Sequence, residues 1–402
     1  MKSSSKLRAV LARLRPLFAI VLLAIVAYNV PWRDRLVWRA GGERAVGAEV
    51  AGEIVGDWRG DAVAFRLAPG FVIPAEWPAE SASALARGEA LSVTRAGAAS
   101  GFEWRPGMLR VFRELDPRGL VVAAALILCG VFVSITRWWR LLHVAGCDAR
   151  WTTAARLSFL GLFFNLVVPG LTGGDVIKAV LVVRENPLRR ADALVSVIVD
   201  RVLGLIVLMG LATTVVLSSG ERFGDLRFAV SCAFAAMVVG PWTVLHPWPR
   251  RVLRIERWID RLPMAEKVKS LDRALRIYAQ HPWEMLGATI LSAFNHLSVA
   301  AAVMALGHAF GDTLDFFDYL GVSSIANAVS SVPIAPGGWG VGEAAFGSIF
   351  HVLGAAATLG VAVSVTYRLM MMGIGLLGGI FLLLPSGASV RRDLAESEVE
   401  GV

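Results

Sequence analysis

Along most of the chain the apolar residues come in long unbroken runs, not in the strict alternation of a strand or the one-faced stripe of a surface helix. A membrane-spanning helix needs about 20 mostly apolar residues, and about 17 at the least. Four runs qualify directly: 120–136, 202–217 with an upstream extension to 191, 228–245 and 285–310. A fifth, 359–384, carries a single charge, at Arg368. A shorter run at 17–30 follows a basic lead of Lys2, Lys6, Arg8, Arg13 and Arg15. No convincing small-x-small cleavage site comes after it, so it reads as an uncleaved anchor in preference to a signal peptide. The pattern predicts an all-α polytopic membrane protein with about six spanning helices.

Two apolar stretches are interrupted in the same way. "NLVVPGLTGGDVIKAV" (165–180) and "NAVSSVPIAPGGWGVGEAAFGSIF" (327–350) each place an Asn (Asn165, Asn327), a Pro (Pro169, Pro333) and a Gly-Gly pair (Gly173–Gly174, Gly337–Gly338) before an acid, Asp175 or Glu343. A long apolar segment with a Ser-Val and a membrane-embedded Arg comes next in each, "VSVIVDR" to Arg201 and "VSVTYR" to Arg368. From the first glycine of the pair to that arginine is 28 residues in one copy and 31 in the other. Non-helical backbone at membrane depth is tolerated only where it is buried in protein or lines a polar cavity. Discontinuous helices in an inverted repeat are the sequence pointer to a transporter's midplane site.

Charge orients these segments. Lys and Arg gather at the N-terminus, at 137–151, at 184–192, at 250–276 and at Arg391–Arg392, whereas 309–318 has none. By the positive-inside rule those basic loops, and both termini, are cytoplasmic. The alternation is consistent only if 154–183 and 319–356 each enter and leave on one face, as two re-entrant broken-helix pairs opening to opposite sides. The expected domains are a basic N-terminus with its anchor (1–31), an exported insert (32–117), a transmembrane domain (118–385) and a cytoplasmic tail (386–402).

The insert, with short strand-like pieces such as "AEVAGEIVGDW" and "DAVAFRLA" between Gly and Pro, predicts a small antiparallel β-domain that packs or docks a partner. Within 247–283, Val252, Ile255, Trp258 and Ile259 fall on one helical face with arginines on the other. A basic amphipathic helix lying on an anionic membrane surface and a plain cytoplasmic linker both fit that pattern.

Composition agrees with the membrane class: 56% of the 402 residues are hydrophobic and 18% charged, against about 45–50% and 25% in soluble domains. The net charge of +8 would suggest a nucleic-acid partner in a soluble protein. Here the cations lie between apolar runs and set topology, so no nucleic acid is expected. Cys129, Cys147 and Cys232 lack metal-ligand spacing, as do the six histidines at 143, 246, 281, 296, 308 and 351. No metal, cofactor or catalytic residue is indicated.

Six charges lie within or at the edges of apolar segments: Asp175, Lys178, Asp200, Arg201, Glu343 and Arg368. Each costs about 2.5–3.5 kcal/mol at a helix centre on insertion scales, so they must face one another or water. One account is mutual pairing, with Asp200 and Glu343 neutralising Arg201 and Arg368. The other is a ligand site for a lipid headgroup, built from Asn165, Gly173, Gly174, Asp175, Lys178, Asp200, Arg201, Gly337, Gly338, Glu343 and Arg368. There Lys178 and Arg201 meet phosphate beside the glycine N–H groups at a half-helix N-terminus. Asp175 and Glu343 take the cationic part of the headgroup or a coupling proton.

At these residues the chain resembles a known family. "NLVVPGLTGGD", "SVIVDRVLG" and "PIAPGGWGVGE" look like the signature of the flippase-like transmembrane domain of bacterial lysylphosphatidylglycerol synthases, a domain that also occurs alone and in an archaeal protein linked to glycolipid assembly. The resemblance covers roughly 118–385. It falls on Asn165, Pro169, Gly173, Gly174, Asp175, Asp200, Arg201, Pro336, Gly337, Gly338, Gly340 and Glu343. It implies a transporter, not an enzyme, that moves a phospholipid or lipid-linked headgroup between leaflets of a bacterial inner membrane, the lipid being anionic, aminoacylated or glycosylated. The soluble aminoacyl-transferring domain has no counterpart in the sequence, and the insert at 32–117 is not part of the family pattern. A membrane glycosyltransferase using a polyprenyl-phosphate sugar and an envelope scaffold remain alternatives. An envelope protein at the insert and a second copy of the chain are candidate partners.

Overall fold

The computed structural model describes residues 31–38, 48–94, 102–167, 173–262, 264–331 and 339–383, with Ala24 and Tyr28 besides. The bulk of the expected first helix, Pro169, the stretch from Pro333 to Gly338 and the tail from 386 lie outside the described residues. Near the N-terminus, strands β1 (Asp34–Trp38), β2 (Ala48–Val55), β3 (Ala62–Leu67), β4 (Leu91–Thr94) and β5 (Phe102–Arg105) form one antiparallel sheet in the order β4-β3-β2-β1-β5. Alternation decides its faces. Leu36 stands opposite Val50 on one side and Trp104 on the other, and these bury with Ile54, Phe65 and Trp58. Strand β5 and helix α1 (Ala79–Ala86) complete the β-domain that the sequence outlined.

One buried carboxylate ties the sheet to the helix after it. Asp34 accepts hydrogen bonds from Ile54 N (2.9 Å), Gly107 N (2.8 Å) and Arg110 Nε (2.8 Å), and Arg110 belongs to the short helix α2 (Met108–Arg113). Asp116 N donates to Ala309 O at 3.0 Å and the Phe112 and Phe310 rings lie 5.4 Å apart, which seats the domain at one end of the helical body.

Among the described residues that body holds five helices long and apolar enough to cross a membrane: α3 (Pro117–Val144), α6 (Arg190–Ser218), α7 (Leu226–Leu245), α11 (Pro282–Ala309) and α14 (Ala357–Leu383). Each matches one of the five long apolar runs. One boundary differs. The charge pattern places 137–151 in a cytoplasmic loop, but α3 runs on to Val144, because Arg137 finds a carboxylate inside the bundle and Trp138, Leu141 and Leu142 continue its buried face. Helices α3 and α11, 28 residues each and so about 42 Å long, pack antiparallel along their length.

The two interrupted stretches are helical hairpins. In the first, α4 (Trp151–Val167) stops two residues before Pro169, which can neither donate to nor continue a helix, and α5 (Gly173–Glu185) returns beside it. Arg156 and Glu185 join the feet of this hairpin, near the C-terminal end of α3, where Trp139 Nε1 donates to Ala149 O (2.9 Å) and Arg189 Nη1 to Ala145 O (3.3 Å). In the second, α12 (Phe316–Ser330) and α13 (Val341–Val352) meet at their feet through the Tyr319 and Phe350 rings, 5.9 Å apart. His308, near the C-terminal end of α11, lies 5.8 Å from the Tyr319 ring. Since α3 and α11 are antiparallel, the feet of the two hairpins stand at opposite ends of the bundle.

Between α7 and α11 the described residues form three helices, with a break inside the helical face outlined by Val252, Ile255, Trp258 and Ile259: α8 (Pro247–Val252), α9 (Ile255–Asp260) and α10 (Ala265–Ala279). Arg254 (φ 52°) and Met264 (φ 76°) break them, the two positive-φ residues other than glycine among those described. Val252 therefore lies on a different helix from Trp258. Helix α10 packs on α6, with Ala274 and Tyr278 buried and Tyr278 Oη donating to Leu141 O at 3.1 Å. Burial works against ionisation of Asp272, but the guanidinium groups of Arg250 and Arg276 prevail and hold its carboxyl below the usual range.

Candidate functional site

Described residues of the two hairpins and the middles of α3, α6, α11 and α14 line a cavity of about 730 Å³. That is the size of a pocket for a whole small molecule or a lipid headgroup. From the first hairpin it is lined by Ser158, Gly161, Asn165, Asp175 and Lys178, and from the second by Asn327, Ser330, Ser331, Trp339 and Phe346. The long helices add Arg137, Asp200, Arg201, Asn295, His296, Tyr367 and Arg368. Four cations, Arg137, Lys178, Arg201 and Arg368, thus face two carboxylates, Asp175 and Asp200.

The charges are arranged in three groups. Arg137 is a strut: Nε donates to Asp200 Oδ1 (2.8 Å), Nη1 to Ser292 Oγ (2.8 Å) and Nη2 to Asp200 O (3.4 Å), which links α3, α6 and α11. Lys178 is held more loosely, 3.9 Å from Asp200 Oδ2 and 3.6 Å from the centroid of the Trp138 ring, whose face attracts a cation. Arg201 Nη1 lies 3.2 Å from Asp175 Oδ2, with the two side chains 47% and 32% exposed. On the other side Arg368 Nε lies 2.7 Å from Glu343 Oε1, with side-chain exposures of 14% and 0%. Arg368 also donates to Ser330 Oγ at 3.3 Å and has its guanidinium carbon 5.6 Å from the Trp339 ring centroid.

The structure brings some of the expected residues together and leaves others apart. Asn165, Asp175, Lys178, Asp200, Arg201 and Arg368 do converge on one cavity. Glu343 does not reach it. Its Oε2 accepts from Gly340 N (2.5 Å) and its Oε1 from Ser364 Oγ (3.2 Å) besides Arg368, so it is a buried counter-ion and helix cap with no face left for a headgroup. Gly174 does not line the cavity either, because its N–H donates to Asn165 Oδ1 at 2.8 Å in place of the free donor expected for phosphate. An added Cβ at Gly174 would lie 1.9 Å from Gly161 O, so this glycine is required by the close crossing of α4 and α5. Gly173 opens α5, and Gly337 and Gly338 lie outside the described residues.

The expected pairing holds for one pair and fails for the other. Glu343 does neutralise Arg368, but Asp200 serves Arg137 and Lys178, while Arg201 turns to Asp175. Arg137 escapes the sequence reading because it stands one residue past an apolar run, where the positive-inside rule claims it for the loop. Its signal is the apolar and aromatic "WW" and "LL" pairs that continue the helical period beyond it. Asn295, Asn327 and Trp339 also line the site, and spacing alone does not distinguish them from packing residues. His296 Nε2 donates to Gly204 O at 3.0 Å and is satisfied within the bundle.

With this geometry in place, the comparisons with known proteins decide the family. The family described as Lysylphosphatidylglycerol synthase TM region matches residues 96–379, which hold every one of the cavity's lining residues. The chain belongs to that family. It is a multi-pass membrane protein, and it is similar to UPF0104 membrane protein PH1989 of Pyrococcus horikoshii, 25% identical over 311 residues that cover 70% of this chain and 92% of the relative. The family match begins within the stretch that links β4 to β5, so most of the β-domain lies outside it.

Proposed function

We propose that the cavity takes the anionic headgroup of a membrane lipid and carries it between leaflets, so that the protein is a lipid transporter with no covalent step. The observation that supports this most is the cavity's charge: four cations against two carboxylates at mid-height in an apolar bundle. Even with Glu343 set against Arg368 from behind, one cation is in excess. A surplus cation at that depth is costly unless an anion completes it. Arg201 is the residue assigned to phosphate, since its planar fork offers paired charge-assisted hydrogen bonds and its side chain is 47% exposed, more than that of Arg368 or Arg137. The α4–α5 hairpin enters from the cytoplasm and the α12–α13 hairpin from outside, with both termini cytoplasmic, as the loop charges require. The β-domain then lies on the outer face of a bacterial inner membrane.

The test is reconstitution in liposomes with fluorescent phosphatidylglycerol, alongside mass spectrometry of the lipids retained on purification. Arg201→Lys keeps the charge and loses the fork, and translocation is expected to fall by about tenfold, the worth of one charge-assisted hydrogen bond. Translocation at the parent rate would reduce Arg201 to a counter-ion of Asp175.

A further inference from the structure

The segment between α7 and α11 presents a charged and apolar surface separate from the cavity. It holds nine cations and four acids over 250–276. All four acids are consumed by internal ion pairs: Asp272 with Arg250 and Arg276, Glu256 with Arg276, and Asp260 and Glu266 with Lys269. Among the described residues Arg251, Arg254, Arg257, Arg261, Lys267 and Arg273 stand exposed with no acid in ion-pair range. Beside them large apolar side chains face outward, with Trp258 and Met264 each 66% exposed, Val252 62%, Leu253 52% and Leu262 48%.

Position says what covers this surface. Helix α7 ends at Leu245 and α11 begins at Pro282, so α8, α9 and α10 lie at the level where two spans leave the hydrocarbon. Exposed Trp242, Trp248 and Trp283 mark that level as an aromatic belt does. The backbone is held there at a cost. Arg254 and Met264 adopt left-handed conformations that non-glycine residues rarely take, and those two corners set α9 apart from its neighbours as a separate strut.

We propose that α8 and α9 form an interfacial foot, with Trp258, Leu253 and Leu262 in the headgroup–acyl boundary and the unpaired arginines on the anionic phospholipids of that leaflet. The acids are spent on building the corner so that the cations are free for lipid. The partner is the leaflet surface, recognised by charge density together with apolar burial, and no single lipid species is selected. This does not depend on the cavity's function.

Hydrogen exchange on the intact protein tests it in nanodiscs of phosphatidylcholine alone and of phosphatidylcholine with phosphatidylglycerol. Amides of 251–262 are expected to exchange about tenfold or more slowly in the anionic discs, since each basic side chain at such a surface contributes several-fold in affinity. That protection should disappear at high salt, which screens exposed charges. The combined variant Arg251→Gln, Arg257→Gln and Arg261→Gln removes no ion pair and should fold, yet lose the lipid-dependent protection. Equal exchange in both discs overturns the proposal. So does protection that survives both high salt and the triple variant, because the foot would then be packed on protein alone.

Discussion

The two hairpins carry the same device in different states. Each has an acid in the first turn of its returning helix and an arginine on the next long helix, and in each the acid pairs with that arginine. Asp175 and Arg201 stand 3.2 Å apart and substantially exposed, while Glu343 and Arg368 stand 2.7 Å apart and almost wholly buried. Sequence makes the two halves look alike, and structure separates them by solvent access. A pair in water is worth little and exchanges partners easily. A pair removed from water is costly to break, because whichever partner remains is an uncompensated charge. In the proposed transporter, the first half is thus the one ready to trade its acid for a lipid phosphate. The second half is closed.

The largest effect expected from disturbing this contrast is at Glu343. Glu343→Gln leaves Arg368 inside the bundle without its counter-ion and weakens the cap on Gly340 N. Removing one partner of a buried pair costs about 3–5 kcal/mol, so denaturation in detergent should shift by that amount. An unchanged midpoint would mean that water already reaches Arg368.

Next in size are the glycines that let each hairpin close. A Cβ at Gly174 would meet the carbonyl oxygen of Gly161 at 1.9 Å, a contact with helix backbone. A Cβ at Gly342 would meet Arg368 Nη2 at 1.8 Å, the far end of a flexible side chain. Gly174→Ala should therefore destabilise by about 1–3 kcal/mol, as overpacking does, and Gly342→Ala by less. The second variant should instead displace Arg368 from Glu343, which thiol labelling in a Ser330→Cys background would report as increased access. Equal destabilisation by the two substitutions would contradict the distinction between a backbone contact and a side-chain contact.

How far these differences are legible depends on what a sequence encodes. The five spans are legible because an apolar run of that length has no other use, and the hairpins because Pro169 and paired glycines interrupt two such runs. Burial of individual charges is not legible. Asp175 and Glu343 occupy equivalent places in the pattern, yet one faces the cavity and the other is enclosed by Ser364, Gly340 and Arg368. That outcome depends on which neighbour packs behind the helix, which no periodicity records. Arg137 is hidden for the converse reason: a charge at the end of an apolar run reads as a loop residue unless its partner, 63 positions away at Asp200, is known.

The smallest expected effect on stability is at the exposed pair, and it separates structure from transport most cleanly. Asp175 lies in the first turn of α5, where an acid also favours the positive end of the helix by about 0.3–1 kcal/mol. Its ion pair with Arg201 adds about 0–1 kcal/mol at this exposure. Asp175→Asn should thus lower the denaturation midpoint only slightly, in contrast to Glu343→Gln. Its effect on the cavity is of another kind. With Asp175 neutral, Arg201 loses the carboxylate that the proposed transporter exchanges for phosphate, and Asp200 becomes the sole carboxylate among the described lining residues. Retention of anionic lipid on purification should therefore rise, while translocation in liposomes falls because release becomes slow. A variant that retains the parent's lipid content and rate would show that the Asp175–Arg201 pair caps a helix and takes no part in transport.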